Sequence, residues 1–411
     1  MLQARIAGDG SLGEARVHID LGGVGSLAGM AIARDGGLWV CLAQKRSLRR
    51  YDNAGRQDGQ IDLAPDAEPI ACALNADASR LYVACRGSGG IVWADLQTAI
   101  DTDTATTTVA APSPSRQPST AQITPTDMTP SQFAEGPGWR IHYTVQGSGP
   151  ALILLHGGGP GASGMSNYSR NVGPLSAHFT TYVIDFPGWG QSSKNLSSFG
   201  VSSFGAPGPF ANGGRAVKAF MDAVGIAKAH LVGNSFGGSS AFYLAMECPE
   251  RVDRLVTMGP GGAGLEGVPP TPGIIGLMTY YMGEGPTREK LATFLQQLVY
   301  DTSVLTPALI DERFAASNNP EITANPPLRL PPGGPSPRQF FITEDPRLKT
   351  LPHRSLLVWG LQDKVNLPAG VQPFSVVPQQ DVVLFSQCGH WAQWEQADKF
   401  NELVLWFLQR P

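Results

Sequence analysis

At 411 residues the chain is too long for one ordinary compact core, so we expect two domains. Hydrophobic residues make up 42% and charged residues 16%, which indicates a soluble globular protein and excludes a largely disordered one. The formal net charge of −4 excludes the broad basic surface with which proteins bind nucleic acid or an anionic membrane.

The cysteines and the first residues indicate a reducing compartment. Five cysteines, at positions 41, 72, 85, 248 and 388, form no Cys-x-x-Cys pair and no zinc-like spacing. An odd number of cysteines without an apolar secretory signal is typical of a protein without disulfides. No run reaches the roughly 18 apolar residues of a membrane span. We therefore expect a cytoplasmic protein.

Residues 1–98 have the pattern of short strands and turns, and two segments in them are alike. Residues 29–41 and 71–83 each contain a strand, an Asp-Gly or Asp-Ala turn and a second strand. Aligning Leu38 with Leu81 gives a period of 43 residues. That period and that turn chemistry are typical of β-propeller blades.

The first of these units resembles the closing blades of gluconolactonase and senescence-marker-like propellers. In that family the stretch before the strand reads Pro-Asp-Gly-Met and its Asp binds a metal, whereas Ala28 holds that position here. Two blades cannot close a propeller, which needs about four or more. We therefore expect residues 1–98 to be a small all-β, propeller-like fragment without lactonase activity. The basic run over 45–50 is predicted to lie on a solvated strand edge.

Residues 99–131 differ in composition from both flanks. Thr, Ser, Ala and Pro dominate there, and the apolar periodicity vanishes. Such a stretch cannot bury enough apolar surface to offset the entropy lost on ordering. It is therefore predicted to be a flexible linker.

From about residue 132 to residue 411, short apolar runs alternate with helical patterns. The predicted strands include 151–155, 182–185, 230–233, 254–258, 355–359 and 382–385. This alternation indicates an α/β fold, with a mainly parallel sheet and helices on both faces. Between about 261 and 345, Pro- and Gly-rich turns and a helical stretch over 287–300 interrupt the pattern. That insertion is predicted to form a lid over the carboxyl ends of the strands.

Residues 233–237 read Gly-Asn-Ser-Phe-Gly, which matches the G-x-S-x-G nucleophile elbow. The motif directly follows a predicted strand and precedes a predicted helix, as the elbow requires. Its glycines let the chain turn tightly and expose the hydroxyl of Ser235. We therefore predict that Ser235 is the nucleophile.

A serine needs a base that is oriented by a third group. His390 and Asp363 each follow an apolar strand, at the sheet edge where ligands gather in α/β proteins. The chain order Ser235, Asp363, His390 is the order of the α/β-hydrolase triad. The alternative is that Asp363 only caps a helix and His390 only packs locally.

Residues 156–161 read His-Gly-Gly-Gly-Pro-Gly and follow a predicted strand. Consecutive glycines let backbone N–H groups approach an oxyanion. We expect the oxyanion hole to consist of the amides of Gly158 and Phe236. The alternative, a phosphate-binding loop, lacks the Lys-Ser/Thr pair that should follow it.

Four longer strings resemble the meta-cleavage product hydrolases of the α/β-hydrolase superfamily. They read His-Gly-Gly-Gly-Pro-Gly-Ala-Ser-Gly-Met-Ser-Asn-Tyr-Ser-Arg-Asn at 156–171, Asp-Phe-Pro-Gly-Trp-Gly-Gln-Ser at 185–192, Met-Gly-Pro-Gly-Gly at 258–262 and Cys-Gly-His-Trp-Ala-Gln-Trp-Glu at 388–395. These enzymes hydrolyse a carbon–carbon bond in vinylogous 1,5-diketones formed by ring cleavage of aromatic compounds or steroids. The resemblance implies a 2-hydroxy-6-oxohexa-2,4-dienoate-type substrate, no metal or organic cofactor, and a homo-oligomer.

The resemblance also implies a substrate site. Asn167, Asn234, Arg313 and Trp391 would bind the dienoate end, beside Gly157. Arg313 occupies the position of the family's carboxylate-binding arginine, and a guanidinium can hold a carboxylate through two N–H groups.

Alternatives remain for these residues and for the reaction. Arg313 could be an exposed helix residue paired with Asp311 or Glu312, and Trp391 could only pack against the lid. The chain departs from the family after Asp363, where it reads Lys-Val-Asn, and in a proline-rich segment over 325–337. These departures leave the group on substrate carbon C6 undetermined. The rival function is that of a small-molecule carboxylesterase or thioesterase, which would not need Arg313.

Overall fold

The computed structural model describes residues 130–194, 208–328 and 341–410 throughout. Before residue 130 it describes short strands together with the stretches 45–52 and 54–63. The chain divides into two compact units, Met1–Thr120 and Ala121–Pro411.

The described part of the first unit consists mainly of antiparallel strands. They are β1 (Leu2–Gln3), β2 (Arg16–Val17), β3 (Leu27–Ile32), β4 (Leu38–Leu42), β5 (Ser47–Tyr51), β6 (Gln57–Asp62), β7 (Ala67–Leu74), β8 (Arg80–Gly87), β9 (Gly90–Asp95) and β10 (Thr107–Thr108). Strands β3 to β6 pair in chain order, and β7 to β9 form a second sheet in the same way. Leu38 and Leu81 lie on β4 and β8, the second strand of each sheet. The prediction of a small all-β fragment is confirmed.

The prediction of a strand edge for the basic run is wrong. Strand β5 pairs with β4 on one side and with β6 on the other, so it is an inner strand. Arg49 and Arg50 are accordingly half-buried. The Asp58 carboxylate on β6 forms an ion pair with Arg50, which offsets the charge of an arginine within the sheet.

Most of the predicted linker over 99–131 lies outside the described residues. Within it, β10 pairs in parallel with β6, Thr107 opposite Ile61. The flexibility predicted for this segment stays a prediction.

The second unit is built on one eight-stranded sheet. Its strands are β11 (Gln132–Gly136), β12 (Trp139–Gln146), β13 (Ala151–Leu155), β14 (Thr180–Ile184), β15 (Ala229–Asn234), β16 (Val252–Met258), β17 (Ser355–Gly360) and β18 (Gln380–Phe385). Their order is β11-β12-β14-β13-β15-β16-β17-β18. The strands from β14 to β18 are parallel, and β11 and β12 add an antiparallel edge. The predicted α/β-hydrolase fold is confirmed.

Helices cover both faces of this sheet. They are α1 (Gly164–Tyr168), α2 (Val172–Ser176), α3 (Pro209–Ala223), α4 (Phe236–Glu247), α5 (Pro272–Thr279), α6 (Arg288–Leu298), α7 (Pro307–Ser317), α8 (Pro320–Ala324), α9 (Val371–Phe374), α10 (Ala392–Glu395) and α11 (Ala397–Gln409). In the described part of the chain, none of the helices is long and apolar enough to span a membrane.

Side chains along the central strands point alternately to the two faces of the sheet and fill two separate cores. On β13, Ile153 points to the side where Phe220 of α3 packs, and Leu154 points to the side of Phe400 on α11. Side chains two residues apart share a face of a strand, so one continuous apolar run supplies both layers. The sheet is thereby held rigid, and the loops at its carboxyl edge are held with it.

Helices α5 to α8 lie between β16 and β17, inside the segment predicted to be a lid. Thr287 caps α6 by accepting a hydrogen bond from the amide of Lys290. Phe294 and Leu298 of α6 pack with Trp391, which belongs to the loop after β18. The proline-rich segment that departs from the family pattern is described only as far as residue 328.

Candidate active site

Ser235 sits in a strained turn between β15 and α4, with φ 52° and ψ −112°. Positive φ is uncommon outside glycine and costs on the order of 1–3 kcal/mol. The turn requires glycines on both sides: a Cβ on Gly233 would lie 2.5 Å from the carbonyl carbon of Gly237. A Cβ on Gly237 would lie 2.2 Å from the carbonyl oxygen of Leu155. The structure therefore has the geometry of a nucleophile elbow at the carboxyl end of β15.

His390 and Asp363 form a buried pair beside this turn. Nδ1 of His390 lies 2.7 Å from Oδ2 of Asp363. The other carboxylate oxygen accepts hydrogen bonds from the amides of Val365 and Asn366, at 2.8 and 2.9 Å. Asp363 thus caps its loop with one oxygen and orients the imidazole with the other, so the alternative of a cap alone does not hold. Because Asp363 engages Nδ1, Nε2 remains for proton transfer.

The unusual sequence after Asp363 supports this arrangement. The side chain of Asn366 donates a hydrogen bond to the carbonyl oxygen of Gly259 at 2.8 Å, and the Asn366 carbonyl accepts one from the Trp359 indole at 2.8 Å. These bonds fasten the loop to the neighbouring strands β16 and β17. The departure from the family pattern therefore leaves the carboxylate correctly held.

One pocket at the carboxyl edge of the sheet brings most of the predicted site residues together. Its lining contains Gly157, Gly158, Asn167, Asn234, Ser235, Arg313, His390 and Trp391 from the prediction, and Gly159, Ala162, Leu277, Phe294, Leu298 and Val365 in addition. Asp363 stands behind His390, and Phe236 directly follows the nucleophile.

The glycine loop packs against the nucleophile turn. A Cβ on Gly157 would lie 3.5 Å from Cβ of Ser235, and one on Gly158 would lie 3.3 Å from Cβ of Phe236. Among the described residues, neither the Gly158 amide nor the Phe236 amide has a protein acceptor. Phe236 is the first residue of α4, where the N–H groups have no partner within the helix. Two free donors beside Ser235 are what an oxyanion hole requires.

His156 is a support for this loop and not a base. Its Nε2 accepts a hydrogen bond from the amide of Phe186 at 2.9 Å, and its Nδ1 lies 2.7 Å from the carbonyl oxygen of Gly157. Burial lowers the pKa of His156 to about 4. The imidazole is therefore neutral at neutral pH, and it fixes the direction of the Gly157 peptide.

Arg313 also lines the pocket and is only 2% exposed. Its guanidinium donates two hydrogen bonds to the carbonyl oxygen of Pro160, at 2.9 and 3.2 Å, and one to the hydroxyl of Ser166 at 3.3 Å. It also lies 5.2 Å from the ring centre of Trp391. Burial lowers the pKa of Arg313 to about 10, so the group keeps its charge at neutral pH.

The alternative of an exposed, paired arginine is wrong. Asp311 forms its ion pair with Arg288 of α6 instead. In the described part of the chain no carboxylate lies within ion-pair distance of Arg313, although Glu312 is its sequence neighbour. A buried cation with only neutral acceptors is costly unless a ligand supplies the counter-charge.

The two predicted asparagines are buried, and each also supports the site. Oδ1 of Asn167 accepts from the amide of Gly157 at 3.4 Å. Nδ2 of Asn234 donates to the carbonyl oxygen of His390 at 3.1 Å. Oδ1 of Asn234 has no partner among the described residues and would lie 2.9 Å from a Cβ on Gly157. It therefore faces the glycine loop with an unused acceptor.

The apolar part of the lining was missed in the sequence. Leu277, Phe294, Leu298 and Val365 line the pocket, and three of these four belong to lid helices. Phe294 and Leu298 are four residues apart, the spacing of one helix face. That spacing identifies a buried face but not which side of the protein it meets.

Comparison with known proteins gives two separate matches. A family model described as the alpha/beta hydrolase fold matches residues 150–397. A second model, described as the SMP-30/Gluconolactonase/LRE-like region, matches residues 2–86. Within the described residues no three His, Cys, Asp or Glu side chains stand together as a metal site.

Two relatives and one solved structure have related names. A 2-hydroxy-6-oxo-6-phenylhexa-2,4-dienoate hydrolase from Comamonas testosteroni is 40% identical over 275 residues, 66% of this chain and 91% of that protein. A 2-hydroxy-6-oxononadienedioate/2-hydroxy-6-oxononatrienedioate hydrolase from Escherichia coli (strain K12) is 39% identical, over 66% of this chain and 92% of its own length. The solved structure of a meta-cleavage product hydrolase from Pseudomonas fluorescens IP01, complexed with acetates, is 30% identical, with a TM-score of 0.58 over 69% of this chain and 98% of that one.

Proposed function

We propose that this chain, which belongs to the α/β-hydrolase family as a homologue of the meta-cleavage product hydrolases, hydrolyses a carbon–carbon bond in a 2-hydroxy-6-oxohexa-2,4-dienoate-type substrate. The observation that carries this proposal is the buried guanidinium of Arg313, which lines the same pocket as Ser235 and His390. Such a pocket combines acyl-transfer machinery with a site for an anion.

The carboxylate of the dienoate supplies the counter-charge that Arg313 lacks. A guanidinium and a carboxylate form two parallel hydrogen bonds, which fix the direction of a planar substrate as well as its charge. The free Oδ1 of Asn234 is available to accept from the 2-hydroxyl group. Trp391, which lies against Arg313, provides a flat surface beside the conjugated chain.

The chemical steps follow from this placement. The dienol is first converted to its keto form, in which a proton reaches the dienyl carbon C5. His390 then removes the Ser235 proton as Oγ attacks the C6 carbonyl, and the amides of Gly158 and Phe236 stabilise the oxyanion.

Cleavage of the C5–C6 bond leaves the acyl group on Ser235. The electron pair of that bond moves through C4 and C3 to the oxygen on C2, which takes up the proton that His390 removed from Ser235, and 2-hydroxypenta-2,4-dienoate departs. Water, activated by the same imidazole, then releases the C6 acid.

The lining indicates an uncharged group on C6. The names of the two relatives differ at this end of the substrate: one carries a phenyl group and the other a second carboxylate. Leu277, Phe294, Leu298 and Val365 are apolar, and Arg313 is the only Lys or Arg in the pocket as lined by the described residues. A second carboxylate would lose its hydration without gaining a partner.

The function is tested with purified protein and two substrates, the 6-phenyl and 6-methyl 2-hydroxy-6-oxohexa-2,4-dienoates. Loss of the dienolate absorbance should be rapid with the wild type and suppressed in Ser235→Ala. The corresponding nonadienedioate should give a kcat/KM at least about tenfold lower, and the reverse ratio would refute the uncharged C6 group.

Arg313→Ala separates this function from the rival esterase. Loss of a buried charge partner costs about 2–5 kcal/mol, so kcat/KM for the dienoate should fall by about 10²-fold. Hydrolysis of p-nitrophenyl acetate, which has no carboxylate to bind, should change by less than about threefold. Equal losses on both substrates would favour the carboxylesterase.

The proposed domain division is tested by deletion. The alpha/beta hydrolase model matches residues 150–397, inside the second unit, and relatives that match 66% of this chain are covered over 91–92% of their own length. We expect a chain that starts at residue 130 to keep kcat within about threefold. A loss beyond about tenfold, with the melting temperature unchanged, would give the first unit a role in turnover.

The proposal includes a homo-oligomeric state and a cytoplasmic location. A homo-oligomer is supported by β18, the last strand in the sheet order, which exposes Val382 and Leu384 to solvent. Light scattering after size exclusion tests it, and a monomer would refute it. A cytoplasmic location is supported by Cys72, Cys248 and Cys388, which form no disulfide among the described residues.

A further inference from the structure

Outside the pocket, the carboxylate of Glu395 accepts hydrogen bonds from three backbone N–H groups. Its Oε1 accepts from the amides of Gly389 at 2.9 Å and Trp391 at 3.3 Å. Its Oε2 accepts from the amide of Tyr300 at 2.7 Å. The first two amides flank His390 in sequence, and the third belongs to the lid segment that follows α6.

A second bond joins the same two segments. The amide of His390 donates to the carbonyl oxygen of Leu298, the last residue of α6, at 2.7 Å. The segments are in close contact, because a Cβ on Gly389 would lie 2.6 Å from that same oxygen. The catalytic histidine is therefore hydrogen-bonded directly to the lid. At this junction between the lid segment and the loop, Glu395 accepts hydrogen bonds from both.

We propose that Glu395 is a positioning residue, which holds the lid segment Leu298–Tyr300 and the loop Gly389–Trp391 in the one arrangement that directs His390 at Ser235. It is absent from the pocket lining and so acts through His390 and not on the substrate. One of the three N–H groups comes from the lid segment and two come from the loop, so the side chain between them must accept hydrogen bonds from both segments. A carboxylate is the only side chain with two acceptor oxygens and no donor.

This role distinguishes Glu395 from a residue that only stabilises the fold. The lid lines the substrate site through Leu298, and the loop carries the base. A carboxylate that bonds both makes the alignment of His390 depend on the position of the lid. Loosening that junction should slow the chemistry more than it weakens substrate binding, since the hydrogen bonds of Arg313 and Asn167 go to other segments.

The test uses the full chain and a fluorophosphonate, which reacts with an activated serine and needs no dienoate. Glu395→Gln keeps the length of the side chain but turns an N–H group toward a backbone donor. The second-order rate constant for modification of Ser235 should fall by about tenfold or more, since small displacements of catalytic groups cost up to about 10²-fold. Glu402→Gln is the matched control, because Glu402 is exposed on α11, and it should react within about twofold of wild type.

Hydrogen exchange supplies a readout of the junction itself. In Glu395→Gln the amides of Tyr300 and Gly389 should exchange faster, while those of β13 stay protected. Glu395→Asp keeps the charge but not the reach, so it should also react slowly. A wild-type rate in Glu395→Gln, or full rescue by Glu395→Asp, would overturn the proposal. An unreactive wild type would refute the serine mechanism instead.

Discussion

Two buried histidine–aspartate pairs of nearly the same geometry lie at different places on the sheet of the second unit. In one, Nδ1 of His390 lies 2.7 Å from Asp363; in the other, Nδ1 of His142 on β12 lies 2.8 Å from Asp185, which follows β14. All four residues are at most 5% exposed. The pairs differ in what surrounds them.

The second nitrogen of each imidazole makes the difference. His390 lines the pocket with Ser235, whereas Nε2 of His142 lies 3.3 Å from the side-chain nitrogen of Gln191. Asp185 is also occupied otherwise, since it accepts hydrogen bonds from the amides of Gly164 and Gln191. Burial opposes ionisation of Asp185, but the His142 hydrogen bond and the other donors prevail and lower its pKa. Of the two pairs, only His390–Asp363 therefore shares a pocket with the proposed nucleophile.

The largest expected effect is that of Asp363→Asn. The amide would favour the wrong imidazole tautomer, so kcat should fall by about 10⁴-fold. The amides of Val365 and Asn366 can still bond the remaining oxygen, so the melting temperature should change by only a few degrees. Steady-state kinetics and thermal unfolding check both. A loss of activity that follows a loss of fold would make Asp363 a structural residue.

Asp185→Asn is the counterpart on the other pair. Breaking a buried pair costs about 3–5 kcal/mol, and an asparagine keeps part of the hydrogen bonding, so the free energy of unfolding should fall by about 2–4 kcal/mol. At 25 °C kcat should stay within about threefold of wild type. Urea denaturation and kinetics on the same sample test this. A fall in kcat beyond about 10²-fold in the folded variant would place Asp185 in the chemistry.

His156 extends the comparison to a buried histidine without a carboxylate on its ring. Its pKa is lowered by burial from 6.5 to about 4, so the unfolded chain takes up a proton between these pH values that the folded chain does not. The stability from His156 is complete above about pH 6.5 and falls by on the order of 3 kcal/mol as the pH drops to about 4. Urea unfolding of wild type and His156→Gln from pH 7 to pH 4.5 tests this. Identical pH slopes would contradict it.

The smallest expected effect is that of Gln191→Ala. It removes the neighbour of His142 and leaves the Asp185 contact in place. Stability should fall by less than about 1 kcal/mol, and kcat should not change. A larger loss in kcat would mean that the His142 pair communicates with the pocket.

The positions of the proposed triad residues were predictable because each lies just after the end of its own strand in the sequence. Ser235, Asp363 and His390 need no knowledge of distant contacts beyond the order of a parallel sheet. The His142–Asp185 pair could not be found this way: Asp185 begins one of the quoted strings, but its partner lies on β12, across an antiparallel edge, and no motif marked His142. The inner position of β5 was missed for a similar reason, because the charge of Arg50 is offset by Asp58 on the neighbouring strand β6.

Arg313 was less predictable than the triad positions but more predictable than the His142–Asp185 pair. Its residue type and its position on a helix allowed an exposed, paired arginine, and only the family resemblance favoured the pocket. In the pocket its guanidinium donates a hydrogen bond to the carbonyl oxygen of Pro160, 153 residues away in the sequence. The lid fold sets that contact, and no local pattern in α7 predicts it.

The central claim is cleavage of a carbon–carbon bond, and analysis of the products tests it most directly. The protein is incubated with 2-hydroxy-6-oxo-6-phenylhexa-2,4-dienoate, and the products are separated and identified by mass. We predict benzoate and 2-hydroxypenta-2,4-dienoate in equal amounts, formed by the wild type and not by Ser235→Ala. An unchanged dienoate, in a sample that hydrolyses p-nitrophenyl acetate through Ser235, would contradict the claim.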